Sequence, residues 1–323
     1  MRRALVLGAG GFIGGHLAKR LQDEGFRVTA VDIKEKPEFW LEHEICHRYV
    51  CADLRKHDSF EAVFELEDEY DEVYQLPADM GGAGYLFTGD NDADVMHNSA
   101  LINLNCLELC ARFKVGRVFY SSSACVYPEH NQMDLANPNC EESSVYPAAP
   151  DSEYGWEKLF SERLYLSFEK NYAVPVRIAR FHNVYGPQGT WDGGKEKVPA
   201  AICRKVATSA GEIEIWGDGN QTRSFLFIDD CVEAVLRFTR QDDFMGPVNI
   251  GSEEMVSINR LAAIAMKASG RNLKVEHIEG PIGVRGRTSD NTLYRQKMKW
   301  SPTVSLEDGI ARTYQWIEAQ VSA

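Results

Sequence analysis

The sequence predicts an α/β fold: a Rossmann-type doubly wound parallel sheet with a smaller C-terminal α/β substrate lobe. Three observations carry this expectation. Short β-prone runs alternate with segments of helical period through the first half of the chain. The first such run opens into Gly8, Gly11 and Gly14, and an amphipathic helical pattern follows. After about residue 182 the character changes, and Gly and Pro punctuate the chain in "YGPQGTWDGG", "WGDGNQTRSF", "GPVNIG" and "EGPIGVRGRTSDN".

Taken in order, residues 4–8 are apolar and β-prone, and 12–24 carry apolar residues at helical spacing. Residues 27–32 read as a second strand, a third would end at Asp53-Leu54, and 72–76 form a short strand leading into "LPADMGG". A long helix is predicted over 99–113, a strand over 117–121 ending in serines, a helix over 154–171 and a strand over 174–180. In the second half, helical patterns begin near Pro199 and cover 228–240 and 258–269. This places a first domain over 1–182 and a second lobe over 183–323. The two are expected to be interleaved, since no linker or low-complexity tract separates them.

The composition narrows the function. Of 323 residues, 44% are apolar and 26% charged, as in ordinary globular domains. A net charge of −13 argues against a nucleic-acid groove, so an anionic ligand needs a local basic cluster. No apolar run approaches the roughly 20 residues of a membrane helix, and the N-terminus has no signal-peptide pattern. The cysteines are scattered without a metal-binding spacing, which predicts reduced thiols, no metal site and a cytoplasmic location.

The glycine turn implies a dinucleotide. Its glycines allow the backbone to approach a pyrophosphate, which then faces the N-terminus of the following helix. Asp32 ends the next strand, where a carboxylate holds ribose hydroxyls and repels a 2′-phosphate, so the predicted cofactor is NAD. Gly8, Gly11, Phe12, Ile13 and Gly14 are assigned to it, with Asp32. Asp53 and Leu54 are placed at the adenine, and Leu76 and Ala78 at the other end.

Tyr154 and Lys158 form Tyr-x-x-x-Lys on one helix face, downstream of a strand ending in Ser123. The lysine charge, with that of the cofactor, is expected to lower the tyrosine pKa so that the phenol exchanges a proton near neutrality. Lys158 also reaches the nicotinamide ribose, and Ser123 would bind the reacting hydroxyl or its oxyanion. The loop "GTWDGGKEKVPAA" presents Lys195 and Lys197, either of which is a candidate proton carrier. Basic candidates for a diphosphate are Lys205, Arg223, Arg285 and Arg287, with pairing to Asp290 as the alternative role for one of the last two. Trp216 and Gln221 would wall a base or its ribose. Met80 and Gly82 would border a sugar.

Together these motifs resemble the nucleotide-sugar enzymes of the extended short-chain dehydrogenase/reductase family, and the resemblance covers essentially the whole chain. It implies a C-terminal lobe that binds a nucleoside-diphosphate sugar, and a homodimer built through two helices per subunit. In this family the residues after the catalytic Ser or Thr set the chemistry. Dehydratases carry Thr-Asp-Glu and 4-epimerases Ser-Ala-Thr, where this chain has Ser123-Ala124-Cys125. A thiol exchanges protons at neutral pH and a threonine hydroxyl does not.

The segments "PADMGGAG", "SSSACVYPE", "RFHNVYGPQGTWDGGKEKVPAAICRK" and "GVRGRTSDN" narrow the resemblance to members acting on GDP-mannose at two ring carbons. It implies oxidation at C4 by tightly bound, recycled NAD, and inversion at C3 and C5 by Cys125 and Lys197. The products would be GDP-L-galactose and GDP-L-gulose. Asn183 matches a position used on the diphosphate. Pro77 and Ala83 depart from the pattern, which bears on sugar tolerance more than on chemistry. Two other readings are a 4-epimerase or C4 oxidoreductase in which Cys125 only packs, and a non-catalytic NAD-binding regulator. The intact Ser123, Tyr154 and Lys158 speak against the last.

Overall fold

The computed structural model describes residues 1–322 except 82, 87 and 281–283. The chain forms β1 (Arg3–Leu7), α1 (Phe12–Asp23), β2 (Arg27–Asp32), α2 (Glu42–Ile45), β3 (Arg48–Cys51), α3 (His57–Phe64), β4 (Glu72–Gln75), α4 (Ala83–Leu86), α5 (Asp92–Arg112) and β5 (Val118–Ser123). It continues through α6 (Glu153–Tyr172), β6 (Val176–Phe181), β7 (Asn183–Tyr185), α7 (Val198–Thr208), β8 (Glu212–Trp216), β9 (Thr222–Phe227), α8 (Ile228–Arg240) and β10 (Val248–Ile250). Last come β11 (Met255–Ser257), α9 (Ile258–Ser269), β12 (Lys274–Ile278), β13 (Gly286–Arg287), α10 (Thr292–Met298) and α11 (Leu306–Ser322).

The main sheet is parallel, in the order β10-β6-β5-β4-β1-β2-β3. Direction of winding reverses between β1 and β4, so the crevice for a ligand opens at their C-terminal ends. Strand interiors such as Ala4–Leu7 and Val118–Tyr120 are fully buried, as a sheet covered on both faces requires.

The chain beyond residue 182 is not confined to a second lobe. α8 packs on α1, and β10 pairs with β6 in the main sheet. The three residues of β10, inside "GPVNIG", are too few to give a periodicity and become a strand by pairing with β6. The remaining strands form small sheets. β9 pairs with β7, β11 and β13, and β8 pairs with β12. β13 matters most, because it carries Arg287 back toward the end of β5.

Two boundaries differ from expectation for identifiable reasons. α5 begins at Asp92 rather than near Ser99, with Asp92 and Asp94 in a polar first turn where acidic groups suit the positive helix end. β5 runs through Ser123, because Ser121, Ser122 and Ser123 stay in register with β6.

Candidate functional site

The glycine turn has the geometry of a phosphate cradle. Gly8 adopts φ +77°, and a Cβ on Gly14 would lie 2.1 Å from the Gly8 carbonyl oxygen, so helix and turn touch backbone to backbone. Gly10, outside the assigned set, is equally constrained. Its N–H donates to Asp32 Oδ2 at 2.9 Å, and a Cβ there would strike Tyr49 and the Asp32 carboxylate. A Cβ on Gly11 would make only ordinary contact. Asp32 is 8% exposed and accepts a second bond from Lys34 N, so its carboxylate is fixed at the tip of β2. This cradle fits a dinucleotide: pyrophosphate over 8–14, adenosine ribose at Asp32. Phe12 and Ile13 line its start, partly buried, and Leu76 and Ala78 follow β4 across the crevice.

Asp53 does not present a bare carboxylate toward the adenine. Arg55 grips both its oxygens, at 2.8 and 2.9 Å, and holds the carboxyl below its usual range. Leu54 beside it is buried.

The candidate reacting centre is built where β5 ends. Ser123 caps a short 3-10 turn, and its Oγ accepts from Cys125 N at 3.2 Å. α6 then brings Tyr154 and Lys158 alongside. Its first turn can approach because residue 155 is glycine: a Cβ there would lie 2.2 Å from the Cys125 carbonyl oxygen. Cys125 (9% exposed) and Tyr154 (8%) pack together with Leu86 and Val95, and Ala78 lies against them. Ser123 lies near enough to the Tyr154 phenol to influence its ionisation. Lys158, 2% exposed, donates to Ser121 O at 2.8 Å and lies 5.6 Å from the Tyr154 ring centroid.

In the chain without its cofactor the Tyr154 phenol is not lowered. Burial pushes the phenol well above its ordinary value, Cys125 and Glu157 add to that, and only Ser123 opposes it. Lys158 faces the ring rather than the hydroxyl, and burial pushes its own pKa down.

Across from Cys125, Lys197 caps α7 and donates to Gly81 O at 3.3 Å. Its ammonium is lowered by burial; Cys125 opposes this and Arg287 adds to it, so both lie within its electrostatic reach. The residue as a whole remains solvent-accessible. Lys195 turns away and lies over the Tyr85 ring at 4.9 Å. Of the two lysines, Lys197 is the one that bonds Gly81 O and feels the charge of Cys125.

Arg287 was expected at a diphosphate or paired with Asp290. Instead its Nη1 donates to Cys125 Sγ at 3.5 Å, its Nη2 pairs with Asp151 at 2.8 Å, and its Nε donates to Gln132 Oε1. Asp151 and Gln132 were absent from the sequence reading. They lie far from Arg287 in the chain, and no motif links them. Arg223 lies close enough for Arg287 to influence it. It is lowered to about 10, first by burial and then by Arg287, and it donates to Thr222 O and Val284 O.

Asn183 Nδ2 donates to Ser224 O at 3.2 Å, and Lys205 Nζ to Glu214 O at 2.7 Å. Gln221 donates to Trp216 O, and the Trp216 side chain is 44% exposed beside Gly280. Arg285 is half-buried and Met80 is 39% exposed. Gly82 lies outside the described residues. Among the described residues no group of His, Cys, Asp or Glu is arranged to hold a metal, and no helix is long and apolar enough to cross a membrane.

Comparison with known proteins follows this geometry. Residues 4–251 match the family described as "NAD dependent epimerase/dehydratase family". The chain is 48% identical over 319 residues to GDP-mannose 3,5-epimerase 1 of Oryza sativa subsp. indica, covering 99% of this chain and 82% of that one. It is 46% identical over 316 residues to GDP-mannose 3,5-epimerase of Arabidopsis thaliana, covering 98% and 82%. The solved structure of UDP-glucose 4-epimerase with UDP-glucose from Thermotoga maritima superposes with a TM-score of 0.87 at 24% identity, covering 99% of each chain. That likeness is one of fold.

Proposed function

The chain belongs to the NAD dependent epimerase/dehydratase family, and we propose that its reaction is epimerisation of GDP-mannose at C3 and C5 through a transient C4 ketone. The product is GDP-L-galactose, with GDP-L-gulose from a single inversion. The observation that carries this reading is Cys125 lying beside Tyr154 with Lys197 in its electrostatic reach. The near-full-length identity to plant enzymes of that name supports the substrate.

A sugar C–H is far too weak an acid for a side chain to ionise without help. When bound, NAD supplies the hydride acceptor at C4 and a cationic ring that offsets the cost of a buried phenolate. Tyr154 takes the C4 hydroxyl proton and later returns it, and Lys158 holds the cofactor's ribose. The resulting ketone acidifies the hydrogens on both neighbouring carbons. Cys125 as thiolate takes a ring proton on one face, and Lys197 as ammonium delivers one on the other. Each inversion therefore removes one proton and adds one, and proton exchange of the thiol and the amine with solvent restores both groups before the second inversion. Ser123 and Tyr154 hold the enolate oxygen. Arg223 and Arg285 remain the arginine candidates for the diphosphate, with Asn183 and Lys205; Trp216 and Gln221 serve the guanosine end.

The lowered Lys197 pKa gives a test. Its ammonium is the acid form, present below that pKa and lost as pH rises through it. The alkaline limb for ring-proton exchange is therefore expected below the ordinary lysine range, and Lys197→Arg should remove that limb while slowing exchange. A limb left in place in Lys197→Arg would assign it to another group.

A second reading, a C4 epimerase or oxidoreductase, rests on Cys125 as packing against Leu86 and Val95. It predicts no solvent hydrogen at C3 or C5.

The assembly is proposed to be a homodimer through α5 and α6, which pack together and expose Leu104 (41%), Trp156 (40%) and Phe160 (49%). Light scattering should give about twice 36.3 kDa; the mass of one chain would refute it. All eight cysteines are free, which supports a reducing cytoplasmic location.

A further inference from the structure

We propose that Asp151 is a positioning residue for the acid–base half of the reaction, fixing Arg287 so that its guanidinium lies on the Cys125 sulfur. This inference rests on the reading of Cys125 as the ring base.

A guanidinium is a planar fork at the end of a long flexible stem, and two anchors on different nitrogens are needed to fix its plane. Here Nε is held by Gln132, which is fully buried, and Nη2 by Asp151. The third corner, Nη1, is then aimed at Cys125 Sγ. Side-chain exposure is 10% for Arg287 and 6% for Asp151, so the pair is shielded from the screening that weakens surface ion pairs. Such a pair, once broken, leaves an uncompensated buried charge.

Asp151 also ties this fork to the catalytic helix. Its Oδ1 accepts from Ser152 Oγ at 3.3 Å, and Ser152 caps α6 by accepting from Gly155 N. One carboxylate thus joins β13, which carries Arg287, to the first turn of the helix carrying Tyr154 and Lys158. Other cationic groups near the sulfur are Lys158, Lys197 and Arg223. Arg287 bonds the sulfur directly, so its orientation sets a positive charge in contact with the thiolate.

The test uses Asp151→Asn in the full chain with its cofactor, with two readouts. The first is alkylation of Cys125 by iodoacetamide at neutral pH, followed on the Cys125 peptide by mass spectrometry without sugar present. The second is deuterium entry at C3 and C5 of GDP-mannose, beside reduction of the bound NAD on sugar addition. Alkylation and deuterium entry should each fall about tenfold, as for loss of one charge-assisted contact, while NAD reduction persists and shows an intact fold. Asp151→Glu should recover most of both. Alkylation at the parent rate in Asp151→Asn overturns the proposal, as does a common loss of NAD reduction and exchange that Asp151→Glu does not rescue. Absence of ring deuterium with the parent protein would instead refute the epimerase reading, and the alkylation comparison would still decide the role of Asp151.

Discussion

Cys125→Ser leaves C4 oxidation in place and removes epimerisation. Serine keeps nearly the same volume, so packing against Leu86, Val95 and Tyr154 survives, as does the 3-10 turn capped by Ser123. What changes is acidity. A thiol ionises near neutrality beside cations, and an alkyl hydroxyl does not. Four cationic side chains feel the charge of Cys125: Lys158, Lys197, Arg223 and Arg287. A negative sulfur there is favoured by each of them, and a neutral hydroxyl is not. Loss of a positioned base costs about 10²–10⁴ in rate, so deuterium entry at the ring carbon facing Cys125 should fall by that order. Reduction of bound NAD by GDP-mannose should continue, because its proton goes to Tyr154. Equal loss of both steps would make the thiol structural.

Tyr154→Phe gives the opposite pattern and an effect of the same order, about 10²–10⁴. The ring still fills its place beside Cys125, and Lys158 keeps the aromatic face it lies over. With no phenol to take the C4 proton, the ketone does not form. Without the ketone neither C3–H nor C5–H is acidic, so Cys125 and Lys197 have nothing to ionise. NAD reduction and ring exchange should therefore vanish together in stopped-flow and NMR measurements. Exchange that persisted in Tyr154→Phe would mean that the ring protons are labilised by another route. Burial raises the phenol pKa, and a cationic cofactor ring would oppose that shift. The variant thus also tests whether the tyrosine, rather than Ser123, is the group that NAD binding activates.

The two halves of the fold were unequally legible. Where structure follows from local pattern the sequence reading is close to the residue: β2, α8 and α9 span 27–32, 228–240 and 258–269 as expected. The glycine turn and Asp32 were legible for the same reason, since a turn, a helix start and a strand end are fixed by neighbours in the chain. β10 was not, because its three residues become a strand only by pairing with β6. The site divides the same way. Ser123, Cys125, Tyr154 and Lys158 come from two short motifs that the sheet edge brings together. The bond from Arg287 to Cys125 joins residues 162 apart, and its anchors Asp151 and Gln132 come from two further loops. Charge and spacing marked Arg287 as cationic but gave no direction for its fork. Lys205 shows the same limit, since nothing local indicates that its ammonium bonds the Glu214 carbonyl.

The central claim is that a C4 ketone makes two ring carbons exchangeable at Cys125 and Lys197. It is tested most directly by incubating the protein with GDP-mannose in deuterated water and reading the hexose by NMR. The account predicts deuterium at C3 and C5, protium retained at C4, and signals of the inverted sugars. A ring that stays fully protiated while the bound NAD is seen to cycle would contradict it, and Cys125 would then be a packing residue at the end of β5.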